Sequence, residues 1–173
     1  METIIYTVTD FRDYIHSKDS DYRKQIGSLV LFSPDVTGTW SSSDKQRFAS
    51  VFYHIRGYFI DFMWYIANFT DNEAVKTIVL DNMCEELGTN GKKSHEQLYA
   101  EFASCCGVDI QDEIINKTNY LPFARQYNKD HIAWLQHHNN HSRLAAFAAY
   151  ERLDNIDYDY LYKLSDVMEL SKS

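Results

Sequence analysis

Apolar side chains recur along this chain at the three- and four-residue spacing that places them on one face of an α-helix. The clearest stripe predicts a helix from Ser42 or Ser43 to about Ala67. Further aromatic and aliphatic residues lie on its other faces, so we expect this helix to be central rather than peripheral. The stripe comprises Phe48, Phe52, Ile55, Phe59, Phe62 and Ile66.

Start and stop signals divide the rest of the chain into further helices. Two capping boxes, Thr70–Glu73 and Ser94–Gln97, predict helices that begin at these points. Gly88 and Gly107 are where we expect those two helices to end. Pro122 suits the first turn of another helix. The remaining expectations are one or two short helices in 9–31, a loop at 33–41, and helices at 109–116, 122–138, 142–153 and 157–170.

Glycine and proline are scarce, at 6 and 2 of the 173 residues. Sheet proteins need frequent turns, which these residues usually form, so the scarcity argues against an all-β architecture. With 45% hydrophobic and 15% aromatic residues, the chain has enough apolar surface to fold around a core. We therefore expect a single all-α domain over residues 1–173.

The charge pattern limits the partners that the protein can bind. The formal net charge is −8 and no basic run is present, which argues against nucleic acid or an anionic membrane as a ligand. No stretch approaches 18 uninterrupted apolar residues, and the first residues do not resemble a secretory leader. The three cysteines, Cys84, Cys105 and Cys106, do not form an even disulfide framework. These features favour the cytoplasm.

Three ionisable residues lie within apolar stripes of their predicted helices. They are His95, with Leu98, Tyr99 and Phe102; Glu151, with Leu144, Phe147 and Ala148; and Glu85, with Ala74, Ile78 and Asp81. A buried carboxylate is costly unless it is paired, protonated or bound to metal. Two carboxylates and an imidazole that converge from three helices would share that cost by binding a cation.

Other interpretations of these residues stay open at this point. His95 can be a satisfied core histidine, and Glu86 can replace Glu85 as the inward-facing carboxylate. Glu151 can pair with one of three arginines, Arg125, Arg143 or Arg152. Tyr58, Tyr65 and Tyr99 are candidates for lining a substrate pocket, although a core role is the simpler interpretation for each. His137, His138 and His141 suggest zinc only weakly, because they fall between two predicted helices.

Three segments together resemble the haem-oxygenase-like di-iron oxidases and oxygenases, a group of iron-containing redox enzymes that includes relatives of the chlamydial death-domain-associating protein. The segments are Asn82–Gly88, Gly91–Tyr99 and Leu144–Asp154, and the likeness extends over residues 43–170. The resemblance implies a haem-oxygenase-like helical bundle. It also implies a non-haem enzyme that uses two Fe(II) ions and O₂ to act on a small amino acid-like or fatty acid-like substrate by hydroxylation, desaturation or oxidative C–C cleavage.

By the same resemblance, Glu85, His95 and Glu151 would be metal ligands, an external electron donor would be a partner, and a homodimer is the default assembly. The family draws its remaining ligands from a later core helix that carries His, Asp and His. No such pattern follows Glu151 in this sequence. We expect that this helix lies outside the sequence; a partner chain that donates it, or a lost activity, are the alternatives.

Three rival functions follow from the same fold. The first is a metal-free or degenerate helical interaction protein. The second is a thiaminase-like hydrolase with a thiol nucleophile at Cys105 or Cys106, although no cationic residue adjoins these thiols. The third is haem oxygenase proper, with His16 or His54 as the haem ligand.

Overall fold

The computed structural model describes residues 8–56 and 58–170, and within these ranges every regular element is a helix. A 3₁₀ turn, Val30–Phe32, follows the first helix. The α-helices are α1 (Val8–Gly27), α2 (Pro34–Thr37), α3 (Ser42–Arg56), α4 (Phe59–Phe69), α5 (Glu73–Glu86), α6 (His95–Cys105), α7 (Ile110–Asn116), α8 (Pro122–His137) and α9 (Asn140–Val167). The all-α prediction is confirmed.

The chain divides into two compact units, one of residues 1–39 and 150–169 and the other of residues 40–149 and 170–173. Helix α9 therefore contributes its first ten residues to the second unit and the rest to the first. The expectation of a single domain stays a prediction.

Polar contacts join α1 to α9 within the first unit. The single Nε–H of Arg152 is shared between the two carboxylate oxygens of Asp19, at 2.8 and 2.9 Å. One helical turn further along α1, the Tyr22 hydroxyl donates to the Asp157 carboxylate at 2.7 Å. Burial raises the pKa of Asp157 despite that hydrogen bond. Among the described residues of this unit, the buried apolar side chains are few: Ile26, Ile156, Leu164 and Met168.

The larger unit has a core formed by α4, α5, α8 and the start of α9. Phe62, Met63, Ile66, Val79 and Leu135 lie at its centre, and Phe147 joins them from α9. The apolar stripe predicted for residues 48–66 supplies much of this core, because α4 buries Phe62 and Ile66.

A second cluster joins α3, α6 and α7 in the same unit. It consists of Ala49, Tyr99, Ala103, Cys106 and Ile110. The buried Tyr99 hydroxyl donates to the carbonyl oxygen of Ala49 at 2.7 Å, so one residue provides both apolar area and a link between helices.

Several predicted helix boundaries are confirmed. Ser94 and Gln97 form both halves of the predicted capping box on α6. The capping box predicted at Thr70–Glu73 is wrong, because Asn72 caps α5 by accepting a hydrogen bond from the Val75 backbone, and Thr70 instead ends α4. Gly88 and Gly107 have φ of +72° and +79°, a backbone conformation that terminates helices and that glycine adopts without strain. Pro122 occupies the first turn of α8.

Other expectations about the helices were wrong. The helix predicted from residue 42 to 67 is two helices, and Tyr58 restarts the second by accepting from the Asp61 backbone at 3.1 Å. The separate helices at 142–153 and 157–170 are one continuous helix, α9, because no glycine or proline interrupts it. The loop predicted at 33–41 contains α2, which begins at Pro34.

None of the helices in the described residues is both long and apolar enough to cross a membrane.

Leu135 and Leu80 test how much the core of the larger unit contributes to stability. Leu135 is fully buried, whereas Leu80 on α5 is 46% exposed. Leu135→Ala is expected to lower the free energy of unfolding by about 2–5 kcal/mol, because it removes buried area and leaves a cavity. Leu80→Ala should change it by no more than about 0.5 kcal/mol. Urea denaturation of both variants measures the difference, and equal effects would contradict this packing.

Candidate functional site

The end of α5 and the start of α6 bring a carboxylate and an imidazole together. Glu86 is the last residue of α5 and His95 the first of α6. Nδ1 of His95 lies 2.8 Å from Oε1 of Glu86, with the side chains 35% and 21% exposed. The two atoms are within ion-pair distance, but Nδ1 has no aligned hydrogen bond among the described residues. An ion pair depends on the distance between the two groups and does not require the alignment of a hydrogen bond.

The connection between the two helices depends on Gly88. At φ +72° its backbone turns back so closely that a Cβ there would lie 2.2 Å from the Ser94 backbone nitrogen. Ser94 then accepts from the Gln97 backbone at 3.0 Å and Gln97 Oε1 accepts from Ser94 at 2.9 Å, which fixes the first turn of α6. The local sequence therefore determines where His95 begins the helix.

Glu85 does not share this junction. It is exposed, and so are Ala74, Ile78 and Asp81, the residues of the stripe on which it was predicted to be buried. The buried face of α5 instead passes through Val79 and Met83. The predicted burial of Glu85 was therefore wrong. The row through Ile78 and the row through Val79 both have helical spacing, and only packing against other helices decides which of them is buried.

Glu151 lies on α9, in the part that belongs to the first compact unit, and it is partly buried. Its carbonyl oxygen accepts from the Asn155 side chain at 2.8 Å. All three arginines suggested as its partners have hydrogen bonds elsewhere: Arg152 with Asp19, Arg143 with the carbonyl of Leu135 at 2.6 Å, and Arg125 with the carbonyl of Tyr120 at 2.8 Å.

The three tyrosines proposed as pocket residues lie among different neighbours. Tyr58 stacks on Tyr120, with ring centroids 5.5 Å apart. Tyr65 packs on Phe69 at 4.6 Å. Tyr99 is buried with its hydroxyl committed to a backbone carbonyl. Their role in lining a substrate pocket stays a prediction.

Sequence reasoning missed a buried polar pair in the larger unit. Nε2 of His54 on α3 lies 2.9 Å from Oε2 of Glu113 on α7, and both residues are nearly inaccessible to solvent. The Asn119 backbone also donates to Glu113 at 3.0 Å. Burial acts to raise the pKa of Glu113, but the hydrogen bonds from His54 and Asn119 outweigh it, so the pKa lies below its ordinary value. No local signal marks this pair, because 59 residues separate its members.

The three histidines near the α8–α9 turn do not form a metal site. Nδ1 of His137 lies 2.6 Å from the carbonyl of Ala133, and Nδ1 of His138 lies 2.7 Å from that of Trp134. They thus satisfy carbonyl groups of the last turn of α8, and Arg143 adds a hydrogen bond to Leu135. His141 is exposed.

Whether these residues could hold an iron ion depends on the donor set. Two ligand atoms that bind the same first-row metal at right angles, each about 2.1 Å from it, lie about 3 Å from each other. Nδ1 of His95 and Oε1 of Glu86 lie 2.8 Å apart. A metal site needs at least a third ligand from the protein. In the part of the chain that the structure describes, no three His, Cys, Asp or Glu side chains are grouped closely enough to hold a metal ion. The 2.8 Å separation is equally that of an ordinary ion pair, and the described residues do not form a complete iron site.

Comparison with known proteins identifies the family. A protein-family model described as iron-containing redox enzyme matches residues 46–170. The chain belongs to this family. No curated protein and no solved structure matches the chain. The resemblance drawn from Asn82–Gly88, Gly91–Tyr99 and Leu144–Asp154 is thereby confirmed at the level of the family, as is the haem-oxygenase-like helical fold. A relation to the chlamydial protein stays a prediction.

Two of the alternative functions, a hydrolase with a thiol nucleophile and haem oxygenase proper, have weak structural support. Burial raises the pKa of the Cys106 thiol to about 11, so this thiol is protonated at neutral pH and is a poor nucleophile. Cys105 is exposed near the C-terminus of α6. His54 is only 1% exposed and its Nε2 is engaged by Glu113, so it is not open to a haem iron.

Gly88 and Gly91 provide a matched test of the α5–α6 connection. Both have positive φ, but a Cβ at Gly91 would meet nothing within 4 Å, whereas one at Gly88 would collide with Ser94. Gly91→Ala should cost about 1–2 kcal/mol of strain. Gly88→Ala should cost more and should shift the NMR signals of the His95 ring, since the clash displaces the start of α6. Equal losses of stability in urea would show that the two chain segments do not approach so closely.

The buried pair makes a prediction about pH. The pKa of Glu113 is below its ordinary value of 4.5, so its ionised form stabilises the folded state at neutral pH, and this contribution is lost as pH falls below 4.5. Glu113→Gln is expected to lower the free energy of unfolding by about 1–3 kcal/mol at pH 7. The difference from the parent protein should shrink towards pH 3.

Urea unfolding between pH 3 and 8 measures this effect. Glu101→Gln is the control, because the Glu101 side chain pairs with Lys93 on the exposed surface. A loss in Glu113→Gln that is the same at every pH would contradict the lowered pKa.

Proposed function

We propose that this chain is an iron-dependent oxidoreductase of the non-haem type, which uses two Fe(II) ions and O₂ to oxidise a small organic molecule. Membership of the iron-containing redox enzyme family carries this proposal. Within that class, we propose an amino acid-like or fatty acid-like substrate and a reaction of hydroxylation, desaturation or oxidative C–C cleavage. An external electron donor, a homodimer and a cytoplasmic location complete the proposal.

The proposed ligands begin with His95 and a carboxylate of the last turn of α5. Imidazole and carboxylate are ligands that suit iron of this kind. Glu86 is supported by its 2.8 Å approach to His95, whereas Glu85 is supported by the spacing of the family pattern. Glu151 is proposed from the same pattern alone. Bound iron would supply the redox chemistry, which no side chain in this set supplies by itself.

The residues around this pair would hold the two proposed ligands in place and would not themselves take part in the oxidation. Gly88 and the Ser94 capping box hold His95 at the start of α6, and α5 presents Glu86 to it. Both side chains are partly exposed, while Nδ1 of His95 itself is buried. Because the pair supplies only two donors, binding depends on further ligands.

One observation favours a second candidate function, a metal-free helical binding protein. No three potential ligands are grouped within residues 8–56 and 58–170. Several large apolar side chains are also exposed, including Ile78 on α5, Leu98 on α6 and Phe123 on α8. Exposed apolar groups of this kind are common at protein interfaces, although single ones need no explanation.

Anaerobic titration with Fe(II) separates the two functions. We expect uptake of iron by the chain, followed by an optical change when O₂ is admitted. His95→Ala should weaken iron binding by at least about tenfold, because substitution even of a residue that only hydrogen-bonds to a metal ligand weakens binding by about 10–100-fold. Glu86→Gln and Glu85→Gln, compared side by side, identify the carboxylate, and Glu151→Gln tests the third proposed ligand.

His141→Ala is the control for loss of an exposed histidine elsewhere. If the folded chain takes up no iron, or if His95→Ala and His141→Ala bind it equally well, the proposed ligands are wrong. Absence of iron uptake would favour the metal-free binding protein.

A further inference from the structure

The buried surroundings of His54 contain two polar atoms that no described residue satisfies. They are Nδ1 of His54 and Oδ1 of Asn128, and their residues are 1% and 6% exposed. A buried polar atom without a hydrogen bond is costly, and internal water is the usual remedy. The two residues lie on facing helices, α3 and α8.

The orientation of Asn128 is determined by its neighbours. Its side-chain nitrogen donates to the carbonyl oxygen of His54 at 2.7 Å and to the Tyr120 hydroxyl at 3.1 Å, which uses both of its protons. A flipped amide would place Oδ1 against the His54 carbonyl, and two acceptors would then face each other. Oδ1 is therefore the atom that lacks a partner, and it is attached to the same carbon as the nitrogen bonded to His54.

The orientation of the His54 ring is determined in the same way. Glu113 receives hydrogen bonds from the Asn119 backbone and side chain as well as facing Nε2 of His54. A carboxylate surrounded by donors acts as an acceptor, so Nε2 carries the proton. The proposal requires a neutral imidazole, in which Nδ1 then has a free lone pair. Both unsatisfied atoms are thus hydrogen-bond acceptors.

Two acceptors require two donors, and a water molecule has two. We propose that an internal water molecule donates one hydrogen bond to Nδ1 of His54 and the other to Oδ1 of Asn128. Stacking of Tyr120 on the His54 ring, with centroids 4.8 Å apart, covers one face of the imidazole. The water would connect α3 to α8 beside the direct Asn128–His54 hydrogen bond. This inference does not depend on iron or on the proposed function.

NMR of the uniformly ¹⁵N-labelled chain at pH 8 tests the proposal, because exposed imidazoles are neutral at that pH. Long-range ¹H–¹⁵N correlations should show His54 with a proton on Nε2 and a hydrogen-bonded, proton-free Nδ1. His137 is an internal reference, since its Nδ1 lies 2.6 Å from a carbonyl and should carry the proton. Rotating-frame cross-peaks with water should reach the side-chain amide protons of Asn128, which solvent cannot contact directly.

Asn128→Leu removes Oδ1 together with the amide protons that report the water, so this variant is read at His54, whose Nδ1 should lose its hydrogen-bonded ¹⁵N shift. Asn128→Leu also removes the bond to the His54 carbonyl, so the measurement on the parent chain stands as the decisive one if the variant does not fold. A proton on Nδ1 of His54 would overturn the proposal. A proton-free Nδ1 without any water cross-peak to Asn128 would overturn it as well.

Discussion

The close return of the backbone at Gly88 is the constraint on which the candidate site depends. Its nitrogen and carbonyl follow a path that leaves no room for a side chain beside Ser94. The chain can therefore end α5 and begin α6 within eight residues and still satisfy both helix termini. Glu86 and His95 meet because each is the terminal residue of its helix, rather than because one attracts the other strongly. An ion pair this exposed adds little stability.

Local signals in the sequence were sufficient to predict much of the helical structure. Capping by Ser94 and termination at Gly88 involve atoms only a few residues apart, so the sequence contains the whole interaction. The start of α5 was expected at this place, but with Thr70 rather than Asn72 as its cap. The division between α3 and α4 was missed, because the apolar stripe continues across it. Periodicity shows which residues share a face and does not show that the backbone is continuous.

The candidate site was predictable only in part, because periodicity does not show which face of a helix packs against its neighbours. His95 was found because it lies on the same stripe as the buried Tyr99. The choice between Glu85 and Glu86 depends on a rotation of one residue about the axis of α5, and packing around Val79 and Met83 decides that rotation. The His54–Glu113 pair joins positions far apart in the sequence, so it required coordinates. The resemblance to the family rested on the order and spacing of three segments, and the family-model match over residues 46–170 confirmed it.

The junction after α8 has a consequence for how the protein could be divided. Carbonyl groups in the last turns of α8 are satisfied by its own His137 and His138 and by Arg143, which belongs to the next helix. A fragment that stopped at residue 138 would keep the first two hydrogen bonds and lose the guanidinium. It would also lose Phe147 from the core of α4, α5 and α8. The opening turns of α9 are therefore an integral part of the larger unit, and a shortened polypeptide would need to retain them.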